Sequence, residues 1–159
     1  MAVGLSSIIL GAAAQLTFFT GRSFASLFNY TDLDLYSRNA LDTMSRDIRQ
    51  AQYVTNATST SVTFQDWDNT PLQYSWDPNA LTLSRIKAGQ NQVLLVNCVY
   101  LNFALYQRNP VGGTYDQYPA ATPGTCKLVQ VTWVCARQIL GFNVNTESVQ
   151  SARFVIRKE

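Results

Sequence analysis

Histidine is absent from this 159-residue sequence. Its absence removes the commonest general base and the commonest imidazole metal ligand, and it excludes Ser-His-Asp and Cys-His catalysis. Charge is scarce. Asp, Glu, Lys and Arg together make up 14% of the chain, against the usual quarter, and none of them falls between Met1 and Gly21. The net charge of +2 is small and scattered, so no nucleic-acid partner is expected. Cysteine is limited to Cys98, Cys126 and Cys135, which lack the close spacing of a zinc site. In an exported domain two of them can pair and leave one over, and every pairing stays open. No glycine-rich phosphate loop is present. With no nucleophile–base pair visible, the expectation is a non-enzymatic protein with no cofactor and no metal.

What is present divides at Gly21. Ala2 to Phe19 is an uncharged, mostly apolar run. As a helix it spans about 27 Å, close to the ~30 Å hydrocarbon core of a bilayer. Leu5, Ile8, Ile9, Leu10, Leu16, Phe18 and Phe19 are the candidate membrane-anchoring side chains. Ser6, Ser7, Gln15 and Thr17 weaken the span. Gly4, Ser7, Gly11 and Ala14 share one helical face, where small residues let a second helix approach closely. Small residues are also simply frequent in membrane helices, and a buried core helix reads similarly. Ala12-Ala-Ala14 looks like a signal-peptidase site, but no positively charged segment precedes the apolar run.

From Arg22 to Tyr53 neither proline nor glycine interrupts the chain. Asp34, Arg38, Asp42 and Arg46 form an i,i+4 ladder of alternating sign, worth a few tenths of a kcal/mol per pair. Leu33, Ala40, Leu41, Met44, Ile48 and Ala51 form the stripe that docks on a core. Leu41, Met44 and Ile48 are the principal helix-to-sheet contacts expected. Gly21 is a point where the rod can bend. A continuous helix over 2–53 reaches roughly 78 Å, longer than a domain of this size can cover, so its first half needs a partner.

After Asn56 the period changes to two. Val62 and Phe64, then Leu72 to Trp76, Leu81 to Leu83 and Val93 to Val96 are separated by turn chemistry at 68–71, 77–80 and 87–90, which predicts an antiparallel meander. Val99, Leu101, Phe103 and Leu105 alternate again, placing Cys98 on the less buried side, where a bridge to the Cys126 region and a free thiol in a reducing compartment read equally well. Val129, Val131, Trp133 and Cys135 alternate, as do Ala152, Phe154 and Ile156. Helix first and strands afterwards gives an α+β fold, a long N-terminal α-helix packed against an antiparallel β-sheet. The organisation read is 1–21 apolar transmembrane or filament-core helix, 22–55 amphipathic docking helix and 56–159 antiparallel β domain. The 107–125 stretch is a long Pro-, Gly- and Tyr-rich loop with Tyr115 and Tyr118 available to a partner, or simply a solvated surface loop.

Three weaker signals complete the inventory. Asp66-Trp-Asp68-Asn-Thr70 opens like a calcium loop, with Asp77 at its twelfth position, but Pro71 stands where glycine is needed, which favours a plain turn. Ser84-Arg85 and the Arg153, Arg157, Lys158 cluster are basic and offer a DNA contact, which solvated strand ends explain more simply. Trp133 reads as core, while Trp67 and Trp76 flank a hairpin and are placed to face each other across it.

Met1-Ala-Val-Gly-Leu-Ser-Ser-Ile-Ile-Leu10, Ala40-Leu-Asp-Thr-Met-Ser-Arg-Asp-Ile-Arg-Gln-Ala51 and Asn145-Thr-Glu-Ser-Val-Gln-Ser-Ala-Arg-Phe-Val-Ile156 carry a resemblance. Together with the layout, they resemble the type IV pilin and pseudopilin family, most closely the J-type minor pseudopilins of type II secretion and related minor pilins. The resemblance implies a pilin-like fold and a structural subunit anchored in the bacterial inner membrane, with a periplasmic domain, or built into a periplasmic or extracellular filament. The implied partners are other pilin or pseudopilin subunits, the inner membrane and the assembly machinery, with a separate ATPase as motor. The family's basic leader, its Phe-Thr-Leu-x-Glu motif and the glutamate early in its mature helix are absent here, so leader cleavage and N-methylation are assigned to no residue. The alternatives are a membrane-tethered binding module, an adhesin or DNA receptor using the 107–125 loop, and an exported β-domain cleaved near Ala14.

Overall fold

A computed structural model describes the chain at residues 2–108, 118–119, 122–137 and 148–156, with side chains described from Leu10 onward. One helix, α1 (Ala2–Gln50), opens the fold and runs through Gly21 without interruption. At 1.5 Å per residue it is a rod about 74 Å long. No proline lies within it, and its glycines cost only about 1 kcal/mol each relative to alanine.

The helix stops at Gln50, short of the expected end at Tyr53. Ala51 N–H donates to the Asp47 carbonyl at 3.0 Å as the last helical bond, and Gln52 N–H already donates to the Gln65 carbonyl at 2.8 Å. Tyr53–Ala57 is strand β1 rather than the tail of the docking helix. Its Tyr-Val-Thr start is the aromatic and β-branched chemistry that fits a pleated surface.

Two antiparallel sheets follow where one was expected. The first is a meander of β1, β2 (Ser61–Gln65), β3 (Pro71–Asp77), β4 (Thr82–Lys87) and β5 (Gln90–Leu95) in sequential order. Its hairpins use the turn chemistry visible in the sequence. Asp77 Oδ1 accepts the N–H groups of Asn79 and Ala80 at 2.8 and 3.2 Å, and Ala88 and Gly89 both take positive φ between the paired Lys87 and Gln90, as a type I′ hairpin requires. At Val96-Asn97 the chain leaves this sheet, with Asn97 in the left-handed region at φ 55°. The second sheet has the order β7-β6-β8-β9, built from β6 (Cys98–Gln107), the two-residue β7 (Tyr118–Pro119), β8 (Leu128–Cys135) and β9 (Ser148–Val155). The α+β class holds.

The core lies between the docked half of α1 and the two sheets. Met44 and Ile48 are fully buried, with Leu33 and Ala40 beside them, and Leu41 is half-buried against the same cluster. The sheets supply Phe64, Leu72, Tyr74, Leu83, Val129, Val131 and Trp133. Phe64 and Tyr74 meet edge to face with ring centroids 6.4 Å apart, an arrangement worth about 1 kcal/mol beyond its area.

Candidate assembly surface

Two buried polar clusters fix the helix on the domain. Asp47 points inward among apolar neighbours. It accepts a 2.6 Å hydrogen bond from the Tyr74 hydroxyl on β3, and a two-point contact from Arg85 on β4, Nε at 2.6 Å and Nη2 at 3.3 Å. The hydrogen bond to Asp47 raises the Arg85 pKa further. Burial, then the bond to Asp47, pushes the Tyr74 phenol well above its ordinary value. About three turns nearer the N-terminus, buried Ser37 accepts from Trp133 Nε1 at 3.2 Å and lies 3.5 Å from the Ser148 hydroxyl on β9. Both clusters satisfy polar groups that burial otherwise penalises, and both set the helix's rotation as well as its position.

That rotation leaves the other half of the rod bare. From Leu10 to Phe24 every residue is exposed. Leu10 is 70% exposed and Phe18 76%, with Leu16 and Phe19 similar. A side-chain carbon built at Gly11 or Gly21 meets nothing within 4 Å, so packing within the chain does not explain either glycine. The threonines of this half carry no unsatisfied hydroxyl: Thr17 donates to the Ala13 carbonyl at 2.8 Å and Thr20 to the Leu16 carbonyl at 2.7 Å. Such internal bonds lower the cost of taking a hydroxyl out of water. Ala14 belongs to the same exposed stretch. The side chains of Gly4, Leu5, Ser7, Ile8 and Ile9 lie outside the described residues.

The bare surface continues past the expected boundary at Gly21. Phe24, Phe28, Thr31 and Leu35 follow i, i+4, i+7, i+11 on the face opposite Leu33, Ala40 and Met44, and the three apolar members are each more than half exposed. Thr31 again closes its hydroxyl, on the Leu27 carbonyl at 2.9 Å. Beyond Leu35 this outward face turns charged at Arg38, Asp42 and Arg46. Of the ladder read from the sequence, Arg38–Asp34 closes, at 2.8 Å. The sequence reading missed Phe24, Phe28 and Leu35. Their signal was present as a second apolar series out of phase with the docking stripe.

Other sequence candidates fare differently. Cys98 is fully buried, not on the more exposed side, and it faces Cys135 rather than the Cys126 region. The pairing register slips between Cys98 and Tyr100, and this bulge resets the alternation. Cys98 therefore joins Leu101 and Phe103 on the buried face, while Val99 is 45% exposed. All three cysteines are buried thiols. Trp67 is exposed in the β2–β3 turn, whereas Trp76 packs against the core and donates to the Cys98 carbonyl at 3.0 Å, so the two do not face each other. Trp133 is core. Arg85 is turned inward to Asp47 and is no solvated strand end, while Arg153 is held by Gln130 at 3.0 Å on the surface. Arg157 and Lys158 lie outside the described residues. The Asp66 and Asp68 carboxylates face Lys87, whose ammonium pairs with Asp66 and stands 3.7 Å from Asp68. Of the 107–125 loop, Tyr118 is exposed in β7, and residues 109–117, Tyr115 among them, lie outside the described residues.

Among the described residues no helix is long and apolar enough to cross a membrane. A scan of the chain against family models finds no match, and a search of curated proteins finds none either.

Proposed function

We propose that this chain is a non-enzymatic structural subunit of the type IV pilin or pseudopilin kind. In this reading the N-terminal half of α1 is held in the bacterial inner membrane and then packs among like helices of a pilus or pseudopilus. The β domain stays on the periplasmic or outer side. The observation that carries it is the bare apolar half-rod, uninterrupted from Leu10 into the docked half of the same helix. Contiguous exposed apolar surface of this extent marks an interaction site. Withdrawing Leu10, Leu16, Phe18, Phe19, Phe24 and Phe28 from water yields on the order of 10 kcal/mol before association costs. The sequence extends the apolar run upstream through Leu5, Ile8 and Ile9. No bond chemistry is required. The work is transfer of an apolar helix from lipid into a bundle, and the energy source is a separate ATPase.

The test is fractionation of the full chain expressed in a bacterial cell, with an alkaline wash of the floated membranes. The wild-type chain is expected to stay with the membranes and to be released by detergent. The double variant Leu10→Asp with Ala13→Asp, near the middle of the 2–19 run, each charge costing roughly 3 kcal/mol at a helix centre, is expected in the soluble fraction with its β domain folded. Wild-type chain recovered as a soluble monomer contradicts the reading.

A further inference from the structure

We propose that Cys98 and Cys135 are a cross-strand disulfide pair, closed by a disulfide oxidant, and that Cys126 remains a thiol. The two residues are direct register partners on β6 and β8. The hydrogen bonds around them show which kind of pair they form. Ala136 N–H donates to the Asn97 carbonyl at 3.0 Å, one step beyond the pair, while Cys98 N–H is directed to the Leu81 carbonyl of the other sheet at 2.9 Å. The cysteines thus occupy a non-hydrogen-bonded position of the ladder. In a regular ladder such positions bring opposing Cα atoms about 4.5 Å apart, with the side chains at their closest. That separation lies within the roughly 4.4–6.8 Å range a disulfide accepts.

Both side chains point to the same buried face, Cys98 0% and Cys135 1% exposed. The Cys98 thiol donates to the Tyr100 carbonyl at 3.3 Å, and the neighbouring Cys135 thiol, with burial, pushes the Cys98 thiol above its ordinary value. Cys126 is differently placed. It lies two residues before the start of β8 while Cys135 ends that strand, a strand length of roughly 25 Å. It reaches neither partner.

The pair also sits where the sheets join. Cys98 N–H bonds Leu81 and its carbonyl accepts from Trp76 Nε1, so a bridge ties the end of β8 to the junction of both sheets. Oxidation proceeds by two exchanges. One cysteine thiolate attacks a sulfur of oxidised glutathione, forms a mixed disulfide and expels one glutathione thiolate. The second cysteine thiolate attacks the protein sulfur of that mixed disulfide, closes the Cys98–Cys135 bond and expels the other. Two electrons pass to the oxidant, and the two thiol protons end on glutathione. Because the thiols are buried in the folded protein, the bridge closes while β6 and β8 are pairing.

The inference stands whether or not the filament reading holds. Its test is refolding of the reduced full chain with oxidised and reduced glutathione, followed by alkylation and non-reducing peptide mapping. The expected map has one Cys98–Cys135 linked peptide and an alkylated Cys126. A link through Cys126, a persistent glutathione adduct at Cys98 or Cys135, or three alkylated thiols overturns it. Unfolding adds a second reading. The oxidised protein is expected to unfold at higher urea concentration than the reduced form, a shift that Cys126→Ser keeps and Cys98→Ser loses. Should Cys98→Ser fail to fold, the wild-type map alone decides.

Discussion

At the scale of single residues, Asp47 decides how the helix sits. It is a carboxylate among buried apolar neighbours, balanced by Arg85 and Tyr74. Asp47→Ala leaves both partners without their acceptor and is expected to destabilise by about 3 kcal/mol, the usual consequence of breaking a buried pair from one side. Asp34→Ala, at the exposed Arg38 pair, is expected to change stability by less than about 1 kcal/mol. Urea midpoints measure both. Tyr74 sets an alkaline limit. Its phenol, raised first by burial and then by Asp47, keeps its proton in the folded state after the unfolded chain has lost it near pH 10.0. A pKa raised on folding leaves stability whole below that pH and lowers it above. Lys87, raised by its bond to Asp66, acts in the same direction. Stability is therefore expected to fall as pH rises past 10, and less steeply in Tyr74→Phe, measured by urea titration across that range. None of this was readable in the sequence. Periodicity marks apolar positions, so it found Met44 and Ile48 and passed over Asp47, whose partners lie on strands far along the chain.

Elements were legible where chemistry is local. The helix, the β2 to β5 meander with its turns, and the alternation of β8 all follow from spacing and turn residues. Three features did not. The helix ends at Gln50 because Gln52 is already bonded to β2, a tertiary competition that propensity does not contain. The second sheet arises at Asn97, where a single left-handed residue redirects the chain. The bulge after Cys98 inverts the face of that residue, and an alternation count cannot anticipate an extra residue. The two faces of α1 give a contrast that can be measured. Met44→Ala is expected to cost about 2–5 kcal/mol, as core truncations do, while Phe28→Ser on the bare face is expected to change the isolated chain's stability by no more than ~0.5 kcal/mol and to weaken assembly. At the β6–β8 junction, closing the Cys98–Cys135 bridge is expected to raise stability by roughly 3–5 kcal/mol on the chain-entropy account, read from the urea midpoints of the oxidised and reduced forms.

The whole molecule is a β domain carrying a rod far longer than its own core can cover. The sequence showed this directly: an uncharged stretch to Gly21 joined without proline to an amphipathic one. It did not show how far the bare surface extends, because Phe24, Phe28 and Leu35 belong to a helix that also has a docking face. Polar clusters at Ser37 and Asp47 fix that docking face, so the outward apolar series is held in one orientation. The measurement that tests the central claim most directly places a photo-cross-linking side chain at Leu16, Phe24 or Arg46 of the full chain in cells. The account expects covalent adducts between subunits from Leu16 and Phe24, with adducts from Arg46, on the charged stretch, few or absent. Membrane-free monomer without subunit adducts from Leu16 or Phe24 contradicts it.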